Sequence, residues 1–231
     1  MPDNKSHNDS AIEPFRGIVF DLDGVLCDSE PFICEAAVRM FAENHNTRVE
    51  PDDFLPFVGT GEDRFIGGVA EKYGVALDPA ADKRRTYDIY LEIIQGRLQP
   101  LAGAVDFIAA ARRRGQKLAV ATSADRVKMN GNLRQIGLPA ETFDVCIDGT
   151  QVTHKKPAPD IFLLAIERLE LRPAECLVVE DAPNGIQAGR AAGARCLGLT
   201  TSFTSDKLLA AGADWTAADL AQVPSEVPLG E

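Results

Sequence analysis

Several features that mark large protein classes are scarce in this chain. Its 231 residues include only five cysteines, at positions 27, 34, 146, 176 and 196, an odd number with no Cys-x-x-Cys pair. That excludes a disulfide framework and the usual zinc-site spacings as organising devices. Histidine is rarer still: His7, His45 and His154 stand in polar surroundings and read as surface residues. Basic residues are outnumbered, 24 against 35 acidic, for a net charge of −11, and no basic stripe forms. Nucleic acid and anionic membrane surfaces are therefore excluded as expected partners. No apolar run approaches the length of a membrane span. The opening "MPDNKSHNDSAIEP" also lacks the apolar core of a signal peptide. The expectation is a cytoplasmic protein with a flexible tail over residues 1–14.

What is present is an alternation. Five short runs, "RGIVFDL" (16–22), "QKLAVATS" (116–123), "FDVCIDG" (143–149), "ECLVVED" (175–181) and "ARCLGLT" (194–200), are nearly continuously apolar and end in polar or turn residues. Strands covered on both faces have this look. Helical patterns separate them, including 105–115, which Gly115 is placed to end, and 158–171, with Pro159 near its start. The reading is an α/β fold, a Rossmann-like parallel sheet with helices on both faces. Residues 30–98 differ: helix-period patterns follow one another there without a convincing strand. They read as an all-helical domain inserted into a core made of residues 15–29 and 99–231.

Ligands of an open parallel sheet bind outside the carboxyl ends of its strands. The first strand ends in Asp21 and Asp23, two residues apart and so on one face. Two anions so placed raise each other's pKa unless a positive charge holds them. The second strand ends in Thr122 and Ser123, the third leads into Lys155 and Lys156, and the fourth ends in Glu180 and Asp181. Singly, each reads as a turn or capping residue. Together they predict a cluster of four carboxylates, two hydroxyls and a lysine on one sheet edge. An acidic protein needs such a local cation, or a divalent metal, to hold a phosphorylated ligand.

The runs "DLDG", "ATS", "KKPAPD" and "VVEDAPNGIQAG" resemble the four motifs of the haloacid dehalogenase superfamily. The match is closest to the branch with a helical cap between the first two motifs, which includes phosphoglycolate-type phosphatases and beta-phosphoglucomutases. The resemblance implies that Asp21 is the nucleophile of an aspartyl-phosphate pathway and that Asp23 is the general acid and base. It further implies Mg²⁺ held by Asp21, the Asp23 carbonyl and Asp181, with Glu180 orienting that shell. Thr122, Ser123 and Lys156 would bind the phosphoryl group. Dehalogenase members lack the second aspartate and need no Mg²⁺, so with Asp23 present phosphoryl chemistry is favoured.

The cap is expected to select the substrate, with Thr60 and Arg64 in "FVGTGEDRFIGG" as candidate contacts. "TGED" equally fits a helix N-terminal capping pattern. Many relatives carry histidine where this chain has Ile33, and mutases place arginine where it has Glu62. The cap run, with "CDSE" and "SADR", is similar to the dehalogenase-like domain of the plant suppressor-of-quenching protein. Arg126 in "SADR" reads as a helix-start residue. The overall expectation is a phosphatase for a small phosphorylated metabolite, monomeric or weakly dimeric. The alternatives are a sugar-phosphate mutase and a non-catalytic binding module.

Overall fold

The computed structural model describes residues 13–57 and 61–230. Six parallel strands form one sheet: β1 (Gly17–Phe20), β2 (Lys117–Ala121), β3 (Val145–Ile147), β4 (Cys176–Glu180), β5 (Arg195–Leu199) and β6 (Trp215–Ala217). Their spatial order is β3-β2-β1-β4-β5-β6. The chain builds outward from β1 to one edge, then returns to its other side at β4. That reversal opens a crevice at the carboxyl end of β1.

Alternate strand residues feed two cores, as the two-residue side-chain period requires. Ile18, Phe20, Leu118, Val120, Leu177 and Val179 belong to one buried cluster. Val19, Ala119, Ala121 and Val178 belong to the other. The first face is covered by α4 (Ala104–Arg113) and α5 (Arg126–Gln135), which bury Phe107, Ile108, Met129 and Leu133. The second is covered by α6 (Asp160–Arg168), α7 (Pro183–Ala191) and α8 (Ser205–Ala211). The α/β class expected from the sequence is the one observed.

Residues 30–98 contain α1 (Glu30–His45), a 3₁₀ segment (Pro51–Phe57), α2 (Glu62–Tyr73) and α3 (Pro79–Ile93). The Asp78 side chain caps α3 by accepting from the Ala80 and Ala81 amides, with Pro79 at its first position. Met40, Phe41, Phe54, Phe65 and Tyr90 continue the first buried cluster into this insert. Its entry and exit run side by side: Cys27 bridges Pro100, and the Leu101 amide donates to the Leu26 carbonyl at 2.9 Å.

Some details differ from expectation. The five strands that match an apolar run are each shorter than it: flanking residues such as Arg16, Asp21 and Thr122 keep ladder bonds, and the chain beyond them turns into loops. Thus the Leu22 carbonyl accepts from the Leu26 and Cys27 amides instead of a neighbouring strand. Helix α6 begins two residues late because Ala158 closes a turn onto the Lys155 carbonyl. Strand β6 was not anticipated. The N-cap of α2 is Gly61, which offers no side-chain oxygen, and Thr60 lies outside the described residues, as does His7. His45 is not a simple surface residue: its Nε2 sits 3.0 Å from Asp82 Oδ2. Among the described residues no helix is long and apolar enough to cross a membrane.

Candidate active site

The crevice beyond β1 holds a cleft of about 730 Å³. Asp21, Asp23, Thr122, Ser123, Lys156, Glu180 and Asp181 all line it, so the strand-end residues meet as the sequence predicts. Asp21 still belongs to the ladder through its amide, which donates to the Val179 carbonyl at 2.9 Å. Its side chain is thereby fixed at the mouth of the sheet.

Lys156 organises the floor. Its buried ammonium donates to Asp21 Oδ1 at 2.6 Å and to Glu180 Oε1 at 2.7 Å, with the Ala121 carbonyl at 3.4 Å. Burial alone would lower the lysine pKa. The Asp21 and Glu180 carboxylates outweigh burial and hold it above the ordinary lysine value. Asp21 shows the reverse balance. Burial pushes it up to about 7, opposed by Lys156 and aided by the charges of Glu180 and Asp23. Asp181 is pushed up to about 8 by burial, then by Glu180 and Asp21. The site thus holds more negative charge than its lysine compensates.

Two glycines allow this crowding. Gly24 has φ +76°, and a Cβ there would stand 1.9 Å from Asp181 Oδ2. A Cβ on Gly185 would stand 1.8 Å from Glu180 Oε1. The backbone must approach both carboxylates closely, which only glycine permits. Glu180 is fully engaged, since its second oxygen accepts from the Asp181 and Ala182 amides, each at 2.9 Å. The Thr122 hydroxyl oxygen accepts from the Ala124 amide at 3.1 Å, which fixes its rotamer at the end of β2.

Asp23 has partners that the sequence did not reveal. Ser29 Oγ donates to its Oδ1, and Lys128 Nζ lies 3.2 Å from its Oδ2. Lys128 comes from α5 and is 3% exposed. A weak signal existed: Lys128 and Asn132 are one turn apart on a polar helix whose buried positions also include Met129 and Leu133. Arg64 was a candidate contact, but the structure turns it away from the cleft. It pairs with Glu71 at 3.0 Å and lies 5.0 Å over the Phe57 ring. Thr60 lies outside the described residues. Arg126 opens α5 and donates to Asp148 at 3.1 Å, as a helix-start residue. The insert's wall of the cleft is mostly apolar, made by Ile33, Leu55, Phe57 and Phe65 with Glu30 at its start.

Residues 15–193 match the family model described as haloacid dehalogenase-like hydrolase. The chain is 40% identical over 209 residues to the chloroplastic protein Suppressor of Quenching 1 of Arabidopsis thaliana, covering 89% of this chain. It spans only 20% of that plant protein's length. It is 32% identical over 200 residues to a phosphorylated carbohydrates phosphatase of Thermotoga maritima, covering 86% of this chain and 92% of the relative. Among solved structures, CbbY from Rhodobacter sphaeroides in complex with phosphate superposes with TM-score 0.79 at 30% identity, covering 90% and 95% of the two chains. The chain belongs to the haloacid dehalogenase-like hydrolase family.

Proposed function

From that membership, we propose that the chain is a Mg²⁺-dependent phosphatase that hydrolyses a small phosphorylated metabolite through a covalent intermediate on Asp21. The observation that carries this reading is the pairing at the end of β1. Asp21 is held by Lys156, while Asp23 stands two residues on in the same cleft with separate partners. One carboxylate is placed to attack and the other to move protons. In the first step an Asp21 oxygen bonds to phosphorus, the ester P–O bond breaks, and Asp23 gives its proton to the leaving oxygen. In the second, Asp23 takes a proton from water, the water oxygen bonds to phosphorus, and the Asp21–phosphoryl bond breaks to release phosphate. Lys156 opposes the upward pressure on Asp21 and so favours its nucleophilic, ionised form. Thr122 and Ser123 supply hydroxyl and amide donors to the phosphoryl oxygens.

The residues present suit a hard divalent cation. Asp21 and Asp181 carry raised pKa values, first because they are buried and then because neighbouring carboxylates crowd them. Gly24 lets Asp181 lie against the loop that contains Asp23. Among the described residues no three acidic, histidine or cysteine side chains form a ready cluster. Asp21, Asp181 and the Asp23 carbonyl would offer an all-oxygen set, which suits Mg²⁺ because that ion retains several water ligands. Bound there, Mg²⁺ would neutralise charge on the phosphoryl oxygens. Glu180 would act indirectly, holding Lys156 and the Asp181 loop, since both its oxygens have partners.

Residues 30–98 would serve as the cap, with the paired segments at Cys27 and Pro100 as its two connections. The chemistry of the cap wall weighs against the mutase reading. A mutase must grip a second phosphoryl group, yet among the described residues Glu30 is the cap's only charged side chain in the cleft lining. The deciding experiment is a panel of phosphate monoesters assayed with and without Mg²⁺, beside Asp21→Asn. Release of phosphate that needs Mg²⁺ and falls at least about 10³-fold in Asp21→Asn is expected. Turnover that survives the substitution or EDTA refutes the mechanism. Glucose 6-phosphate formed from beta-glucose 1-phosphate without phosphate release selects the mutase. No turnover on any ester selects the binding module.

A further inference from the structure

Lys128 occupies a position that folding alone disfavours. It is 3% exposed and lies in the first turn of α5, where the helix dipole repels cations and where Arg126 already adds positive charge. A buried ammonium there requires anionic partners. Two carboxylates meet that need: Asp23 Oδ2 at 3.2 Å and Glu30 Oε1 at 3.4 Å. One turn along the same helix, fully buried Asn132 accepts a hydrogen bond from the Tyr90 hydroxyl of α3. The helix that carries Lys128 is therefore fastened to the insert through Glu30 of α1 and Tyr90 of α3, and at its N-cap Asp125 pairs with Lys83 of α3 at 2.9 Å.

The two contacts to Asp23 differ in kind. A serine hydroxyl can donate or accept, so its bond to Oδ1 can reverse when a proton resides on that oxygen. An ammonium has no acceptor, so its contact to Oδ2 exists only while Oδ2 carries no hydrogen. We propose that Lys128 is the positioning residue for Asp23: it anchors Oδ2, fixes the carboxyl rotamer and leaves Oδ1 as the oxygen that exchanges protons with the leaving group and with water. This rests on the phosphatase reading above and adds a residue from outside the four motifs to it. Ser29 is the reversible partner, and Glu30 holds the lysine in register with the insert.

The experiment compares kcat/KM for glycerol 2-phosphate, an alkyl ester whose leaving oxygen needs a proton, with 4-nitrophenyl phosphate, whose leaving group departs without one. Because kcat/KM reports the step that forms the intermediate, only the alkyl ester senses a misplaced acid. Lys128→Met is expected to lower kcat/KM on the alkyl ester about 10²-fold and on the aryl ester less than about fivefold. Lys128→Arg is expected to recover most of the loss. Lys128→Gln has a similar length without the charge, and it reads the same split if the methionine variant does not fold. Equal losses on both esters, or no loss on either, overturn the role of Lys128 and leave the phosphatase standing. A wild-type protein inert towards both esters with Mg²⁺ removes the phosphatase reading and this one with it.

Discussion

The carboxyl edge of the sheet and the wall of the helical insert face the same cleft but handle charge in opposite ways. At the sheet edge, Asp21, Glu180, Asp181 and Lys156 are all buried, so each charge acts on its neighbours through little water. The insert keeps most of its charges outside, in pairs such as Arg39–Glu43, Arg64–Glu71 and Arg97–Glu35 whose side chains are largely exposed, with Glu30 at the cleft and buried Asp82 beside His45 as the exceptions. Solvent screens pairs of that kind to little net effect. Towards the cleft the insert presents Ile33, Leu55, Phe57 and Phe65. The difference separates two tasks. Strand ends hold a charge arrangement that must not move, while the insert offers shape and apolar surface, which can change without disturbing that arrangement.

The contrast breaks most readily at Lys156. Replacing it with Met leaves Asp21 and Glu180 without their shared cation in a buried site. The expected loss is about 3–5 kcal/mol of folding stability together with at least about 10²-fold in turnover. The matching change in the insert, Arg64→Ala, is expected to shift stability by less than about 0.5 kcal/mol. Chemical denaturation of both variants, with a phosphatase assay, checks the pair; similar losses in the two would erase the distinction.

Proton linkage sharpens it further. Asp21 and Asp181, near 7 and 8, keep protons in the folded protein that carboxylates of the unfolded chain lose near pH 4. The folded state therefore binds more protons between about pH 4 and 8, and stability falls as pH rises through that window. The melting temperature of the metal-free protein is expected to drop from pH 5 to pH 9, and saturating Mg²⁺ to flatten the slope by replacing those protons. A metal-free profile that rises with pH contradicts this balance. The smallest effect belongs to the apolar wall: Phe57→Ala is expected to raise KM several-fold with kcat within about twofold, because the ring lines the cleft away from the strand-end carboxylates while its contacts with Arg64 and Gly68 lie within the insert. A kcat that falls in step with the KM change would place Phe57 in the chemistry.

The sheet edge was readable in the sequence because strands have a strict period and their ends a fixed direction. Runs such as "GIVFDLDG" therefore located Asp21, Asp23, Thr122, Lys156, Glu180 and Asp181 together. What escaped depends on tertiary packing. Strand β6 has only three residues, Trp215 to Ala217, with Thr in the middle; it forms because β5 offers an open edge, pairing Leu197 with Trp215. Lys128 lies on a polar helix, and nothing local says which face α3 will cover. Arg64 pointed to the cleft only while Glu71, two turns away, was not seen to capture it.

Gly24 and Gly185 carry no charge and perform no chemistry, yet the site depends on both. Each position is a mould for a carboxylate on another part of the chain, and the two members of each pair can vary only together. A map of tolerated substitutions is therefore expected to mark these glycines as unforgiving as Asp21, the proposed nucleophile. Any attempt to reshape the proposed cation site by lengthening or shortening Asp181 or Glu180 must first reshape the backbone at 24 and 185.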